Sequence, residues 1–156
     1  MNDNTAAARS MVQQMNCQIN AMELLYHAQA QRMGLADSVF WVLYALRSTR
    51  RAYTQNELCN EWGFPKQTLN SAVRTLAERG LLRLDAAPGP CNRKQLHLTE
   101  AGLALAARTI DPLFTAEAAA LTELSPDNAA QYLALQAQHY RLLCQKFSEL
   151  TFMEDV

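Results

Sequence analysis

The chain has 156 residues and an ordinary globular share of apolar side chains, which suits one domain with a sizeable core. Its formal net charge of −1 is unevenly distributed. The stretch from Arg47 to His97 holds nine basic and four acidic residues, a net of +5, whereas the remainder carries −6. Charge concentrated in this way is the electrostatic footprint that nucleic-acid binding requires, although solvated charges also cluster by chance.

Three features that the sequence lacks indicate its compartment and its relation to membranes. The first residues, MNDNTAAARSMVQQ, lack the basic end and apolar core of a targeting segment. The longest apolar run, Val39 to Leu46, is far shorter than the about 20 residues that span a bilayer. The four cysteines are widely spaced and form no Cys-x-x-Cys pair, so we expect free thiols. The sequence therefore predicts a cytoplasmic protein without metal, cofactor or membrane partner.

The first predicted helix runs from Ser10 to about Met33, after a frayed start over residues 1–8, and Gly34 ends it. Its apolar residues recur in alternating steps of three and four, which is the spacing of a seam that packs against other helices. They are Val12, Met15, Ile19, Met22, Tyr26 and Met33.

A second, short helix is predicted from Asp37 to about Arg47. It is apolar nearly all round, so we expect it to be buried. Three arginines, Arg47, Arg50 and Arg51, follow at its exit. They suit contacts with backbone phosphates, and the alternative is that they are simply solvated.

A helix-turn-helix is predicted next. Thr54 and Glu57 have the spacing of a capping box, and Gly63 stops the helix that they begin. Pro65 suits the first turn of the following helix, because its missing N–H would go unpaired there anyway. Gly80 ends this second helix. Its buried stripe is formed by residues at helical spacing, Leu69, Ala72, Val73 and Leu76.

The opposite face of this second helix carries hydrogen-bond donors and small polar groups, the types that read base edges and grip phosphates in a major groove. Its only acid is Glu78, near the end. The predicted DNA-contacting residues are Lys66, Gln67, Thr68, Asn70, Ser71 and Arg74. The alternative is an ordinary solvated face.

A two-stranded hairpin follows the helix-turn-helix. Residues 82–84 and 95–98 alternate with the period of strands, and Pro88-Gly89-Pro90 between them predicts a loop. Arg93 and Lys94 at the end of this loop are expected to reach a minor groove or the DNA backbone.

Two or more helices complete the chain. Thr99 is the predicted start of a long helix that Pro112 must kink or interrupt. Ser125, Pro126 and Asp127 form a strong start signal for the last helix. That helix has a heptad seam made of Ala129, Leu133, Gln136, Tyr140, Leu143, Phe147 and Leu150.

Two phrases in this order of elements resemble a known family. They are Val-Arg-Thr-Leu-Ala-Glu-Arg-Gly-Leu-Leu at 73–82 and Leu-Thr-Glu-Ala-Gly at 98–102. Together they resemble the MarR family of bacterial transcriptional regulators, over about Leu35 to Ile110. The resemblance implies a mainly α fold with a small β-hairpin wing, flanked by long dimerisation helices. One departure is that the Asp-x-Arg pattern usual in the family's wing is replaced by Pro-Cys-Asn-Arg-Lys at 90–94.

We predict a helical dimerisation region at 10–34 and 100–152 and a DNA-binding lobe at 35–99, within one compact chain. A small winged helix does not need two flanking seams, so they are expected to pair with a second subunit. The residues assigned to this contact are Val12, Met15, Ile19, Tyr140, Leu143, Phe147 and Leu150. A two-fold dimer would place two recognition helices ~34 Å apart on a palindromic site. The alternative is an intramolecular bundle.

The predicted function is a homodimeric regulator that binds specific double-stranded DNA, and the family resemblance implies that it is a repressor. One competing class is a winged helix that binds a protein instead. An enzyme is not expected, because His27, His97 and His139 lie on separate elements without a catalytic or metal-binding pattern.

The family resemblance also implies control by a small ligand or an oxidant. The residues proposed for a pocket that takes an apolar or aromatic effector are Met22, Tyr26, Met33, Trp41 and Tyr44, and the alternative is that they form plain core. A thiol-based redox sensor is the second variant. Cys17 lies where some peroxide-sensing members keep a reactive cysteine, and Cys91 has basic neighbours that favour a thiolate.

Overall fold

A computed structural model describes residues 3–49, 51–86 and 94–151, with side chains from Thr5 onward. Within these ranges there are seven helices and three short strands, which agrees with the predicted mainly α fold with a small β wing. The chain forms two compact units, an N-terminal unit (Met1–Asp111) and a C-terminal unit (Pro112–Val156).

The first two helices are α1 (Asp3–Arg32) and α2 (Asp37–Ser48). The prediction of a frayed start is wrong, because α1 already begins at Asp3. Gly34 ends this segment with a φ of 66°, a left-handed conformation that glycine adopts without strain. The predicted burial of α2 is confirmed, and its buried residues are Val39, Phe40, Val42, Leu43, Ala45 and Leu46.

The helix-turn-helix consists of α3 (Gln55–Trp62) and α4 (Lys66–Glu78). The capping box is confirmed, because the Glu57 N–H donates to Thr54 Oγ1 and the Thr54 N–H donates to the Glu57 carboxylate. Pro65 precedes α4 as its N-cap, so its predicted place inside the first turn is wrong by one position. The predicted buried stripe of α4 is confirmed.

A three-stranded antiparallel sheet has the order β1 (Tyr53–Thr54), β3 (Lys94–Leu98), β2 (Leu82–Ala86). The two wing strands are confirmed, each slightly longer than predicted. Strand β1 was not predicted, because two residues are too short to show a period. Tyr53 pairs with Leu96 and both are buried, which joins α3 to the wing. The predicted loop at 88–90 lies outside the described residues.

Thr99 is the N-cap of helix α5 (Glu100–Thr109), which agrees with the predicted helix start. The Gly102 N–H donates to Thr99 Oγ1 at 3.1 Å, and the Thr99 hydroxyl donates to the Gly80 carbonyl at 2.7 Å. Gly102 packs directly on the end of α4's connection to β2, because a Cβ built there would lie 2.0 Å from the Leu81 carbonyl oxygen. The Leu-Thr-Glu-Ala-Gly phrase is therefore a joint between α5 and the wing.

The chain continues with α6 (Asp111–Glu123) and α7 (Pro126–Ser148). The predicted interruption at Pro112 is confirmed, since α5 ends at Thr109. Proline is the first residue of α7, as expected, but Ser125 has a φ of 67° and its side chain does not cap the helix. Leu150, the last member of the predicted heptad, lies beyond the end of α7.

Candidate DNA-binding site

The outer face of α4 is the candidate site. All six side chains predicted to contact DNA on this helix are exposed, and they lie opposite the buried stripe. A helix with one fully buried and one fully polar face keeps a fixed rotation about its axis. The structure thus brings Lys66, Gln67, Thr68, Asn70, Ser71 and Arg74 together on one surface.

Arg74 carries the most hydrogen-bond donors of any side chain on this surface. Its side chain is 73% exposed, and Glu78, one turn later, approaches the guanidinium only to 4.0 Å. An exposed pair at this spacing contributes about 0.3–0.5 kcal/mol, so little is lost when the arginine turns to another acceptor. Arg74 can therefore donate to a base edge or a phosphate.

Buried side chains and backbone hydrogen bonds hold α4 in place. Leu69 and Leu76 are fully buried, and the Leu81 N–H donates to the Leu76 carbonyl at 2.9 Å where α4 leads into β2. Gly80, with a φ of 67°, makes this turn possible, and Thr99 holds its carbonyl. The polar surface of α4 is thus attached to both the wing and α5.

Arg47, in the last turn of α2, and Arg51, which follows the helix, form ion pairs that neither sequence alternative anticipated. Arg47 binds Asp111 with two hydrogen bonds, of 2.7 Å from Nε and 2.5 Å from Nη2. These bonds raise the pKa of Arg47 and hold the pKa of Asp111 below its usual value. No local signal links residues 64 positions apart, so the sequence could not reveal this pair. Arg50 lies outside the described residues.

Arg51 takes part in a second cluster, at the start of the helix-turn-helix. It pairs with Glu61 of α3, and its guanidinium lies 4.4 Å above the Tyr53 ring. The Tyr53 hydroxyl donates to the same Glu61 carboxylate at 3.3 Å. Hydrogen bonds to Glu61 and then Tyr53 raise the pKa of Arg51. This cluster ties the connection after α2 to α3.

The wing offers one described cation near its tip. Lys94 is the first residue of β3, it is exposed, and it pairs across the hairpin with Ala86. Arg93 and Cys91, the other wing residues singled out by the sequence, lie outside the described ranges.

Comparisons with known proteins agree with this geometry. Residues 33–90, which contain α2, the helix-turn-helix and β2, match the sequence model of the MarR family. This segment is therefore similar to the winged helix of the MarR family. Proteins of this family are transcription regulators and not enzymes. No curated protein sequence matches the chain.

Solved structures show that the MarR fold extends over most of the chain. A MarR family regulator from Neisseria meningitidis is 24% identical with a TM-score of 0.75, covering 89% of this chain and 97% of its own. The PcaV regulator from Streptomyces coelicolor is 21% identical with a TM-score of 0.59, covering 80% and 89%. BpsR from Bordetella bronchiseptica is 19% identical with a TM-score of 0.60, covering 81% and 98%.

An aromatic cluster joins α2 to α1 and α3. The Tyr26 ring lies 4.9 Å from Trp41 and 6.3 Å from Tyr44, and Phe40 and Trp62 complete the group. Three of the five predicted pocket residues thus meet, packed ring against ring. A cavity of about 570 Å³ lies beside them. Of the predicted residues only Trp41 lines it, and the other described lining residues are Asn20, Glu23, Leu24, His27 and Asp37.

Met22 and Met33 do not line this cavity. Met22 is 48% exposed and Met33 is half-buried. The five-residue effector pocket therefore stays a prediction.

Cys17 gives no further support to a redox role. Cys17 is exposed on α1, with no basic side chain among its sequence neighbours. A thiolate needs such a neighbour or a helix start to lower its pKa, and Cys17 is in the middle of α1. Thiol sensing stays a secondary hypothesis.

Apolar side chains remain exposed on the first and last helices. On α1 they include Val12 and Ile19, with Met15 half-buried, and on α7 they include Tyr140 and Phe147, with Leu143 half-buried. Tyr140 and Phe147 are 68% and 64% exposed, which is unusual for large side chains at regular heptad spacing. Among the described residues, no helix is long and apolar enough to cross a membrane.

Proposed function

We propose that this protein is a sequence-specific, DNA-binding transcriptional repressor that acts as a homodimer on a pseudo-palindromic site. The observation that carries the proposal is the exposed donor surface of α4, backed by a fully buried stripe within a MarR-family lobe. A regulator of this kind works where the chromosome is, so cytoplasmic localisation is part of the proposal.

The proposed contacts follow from the donors that each side chain carries. Arg74 forms two parallel hydrogen bonds with O6 and N7 of a guanine, and Asn70 or Gln67 pairs in the same way with an adenine. Lys66, Thr68 and Ser71 hold phosphates or neighbouring base edges and so fix the register of α4 in the major groove. Lys94, with Arg93, reaches the adjacent backbone or minor groove from the wing.

The proposed dimer rests on the exposed apolar side chains of α1 and α7. Large apolar groups at heptad spacing are stable in water only when a second helix covers them. A second copy of the chain supplies matching helices, and two-fold symmetry then presents two α4 helices to successive turns of DNA. Repression follows if the bound dimer excludes RNA polymerase from a promoter.

A small-molecule effector is also part of the proposal. PcaV was crystallised with its natural ligand, and the DNA binding of BpsR is regulated by 6-hydroxynicotinic acid. In this chain the cavity beside Trp41 and the aromatic cluster around Tyr26 and Tyr44 adjoin each other. We propose that a ligand with an aromatic part binds there and alters the position of α2 and, through it, the DNA-binding lobe.

Fluorescence anisotropy on DNA from upstream of the protein's own gene tests this function. Specific binding that survives random competitor DNA, and that weakens with salt as expected for several phosphate contacts, is the expected result. Affinity equal to that for random DNA, in the presence and absence of lysate small molecules, would refute it. A winged helix that binds only protein would also show no preference for the upstream DNA over random DNA.

A further inference from the structure

A cavity of about 420 Å³ in the N-terminal unit is lined by an unusual set of side chains. It lies between the end of α2, the connection to β1, the bases of the wing strands and the start of α5. Three arginines and a histidine contribute to it: Arg47, Arg51, Arg83 and His97. The rest of its described lining is apolar side chains and Thr49, without a carboxylate.

Each of these arginines is held by a carboxylate that does not line the cavity. Arg47 binds Asp111, Arg51 binds Glu61, and Arg83 binds Asp85 at 2.5 Å. A guanidinium has five N–H donors and a carboxylate engages two of them, so donors remain for a second acceptor. The acidic partners thereby orient three cations around one space without occupying it.

We propose that this cavity binds a small organic anion that carries a carboxylate or a phosphate. The guanidiniums supply donors to its oxygens, together with the His97 ring, whose Nε2 lies 3.8 Å from the Asp85 carboxylate. Leu46, Leu98 and Leu103 contact its apolar part. The volume lies within the range of small-molecule sites, about 300–1,000 Å³. No α4 residue lines this cavity, and the aromatic cluster does not reach it, so the inference does not rest on the proposed function.

The strand register separates this cavity from the part of the wing expected to meet DNA. Arg83 pairs with His97, whereas Lys94 pairs with Ala86, three residues further along the hairpin. At about 3.3 Å per residue, these two positions are roughly 10 Å apart. A wing tip bound to DNA therefore leaves the base of the hairpin open to a separate ligand.

Isothermal titration of the full chain with sodium benzoate, and separately with inorganic phosphate, tests the proposal in a chloride buffer of constant ionic strength. We expect saturable binding of at least one probe with a stoichiometry of one per chain. In the variant Arg83→Gln, affinity should fall at least about tenfold, as expected for loss of a hydrogen bond to a charged group. His97→Gln should weaken binding by a smaller factor.

Arg108→Gln is the matched control, because it removes the same charge from an exposed position on α5 that does not line the cavity. It should bind the probes as the wild type does. Equal weakening in both arginine variants would mean a general charge effect and would overturn the proposal. The absence of saturable probe binding would also overturn the proposal. If Arg83→Gln then still lowered the affinity for random DNA, the cavity arginines would contact only a DNA phosphate.

Discussion

Arg47 and Asp111 form a two-bond ion pair that joins the end of α2 to the first residue of α6. Both side chains are about one-third exposed, so solvent screens the pair and its main effect is geometric. It fixes α2, which carries the central apolar residues, to the point where the N-terminal unit ends. The residues between them contain the helix-turn-helix and the wing strands, so the pair links the two ends of that segment.

Replacing Asp111 with asparagine tests this closure and its pH dependence. The pKa of Asp111 is lowered in the folded state by hydrogen bonds from Arg47. Its contribution to stability is therefore present above the unfolded-state pKa and disappears as the pH falls through the lower, folded-state pKa. We expect Asp111→Asn to melt a few degrees below the wild type at neutral pH. The difference should shrink under acid conditions, and a difference that persisted there would contradict an electrostatic origin.

Gly102→Ala should strongly destabilise the chain. The added methyl would lie 2.0 Å from the Leu81 backbone oxygen, so α5 must move away from the wing base. Overpacking against backbone costs about 1–3 kcal/mol or more, measured as a loss of unfolding free energy in urea. Ala101→Ser, at an exposed neighbouring position, is the control and should be nearly neutral. Equal stability of both variants would show that α5 adjusts freely.

Thr99 has two bonded roles that a pair of variants can test together. Its oxygen caps α5 by accepting from Gly102, and its hydroxyl donates to the Gly80 carbonyl. Thr99→Ala should lose about 1–2 kcal/mol of unfolding free energy, as expected when a cap is removed. Thr99→Ser keeps the hydroxyl and should retain most of the stability. A serine variant as unstable as the alanine variant would assign the effect to the lost methyl group.

Arg74→Ala separates base reading from phosphate contact. If Arg74 reads a guanine, the variant should lose about 1–3 kcal/mol of binding free energy on the specific site and little on random DNA. Anisotropy titrations on both DNAs measure this difference. Arg108→Ala, on exposed α5, serves as the charge-matched control. Equal losses on the two DNAs would reduce Arg74 to a phosphate contact.

Phe147→Glu tests the proposed dimer. Phe147 is 64% exposed at a heptad position of α7, and a buried carboxylate there would oppose pairing with a second chain. Sedimentation equilibrium at micromolar concentration should show dimers of the wild type and monomers of the variant. Gln138→Glu adds the same charge on α7 outside the heptad and should stay dimeric. A monomeric wild type would refute the dimer itself.

Elements that depend on neighbouring residues could be predicted from the sequence. The Thr54 capping box, the left-handed Gly63 that ends α3 and the interruption at Pro112 depend on residues within one turn of each other. The buried stripe and the polar surface of α4 follow from one helical period. Such signals are complete within a short window, so the donor surface that carries the proposed function was predictable residue by residue.

Only the tertiary structure decided which distant residues meet. Three features join elements from different parts of the chain. They are the ion pair of Arg47 with Asp111, the contact of Gly102 with Leu81, and the cavity that Arg47, Arg51 and Arg83 line together. The two-residue strand β1 is recognised by its pairing with β3, because two residues are too few to show a strand period. These features depend on register and helix placement, which no local period or capping signal encodes.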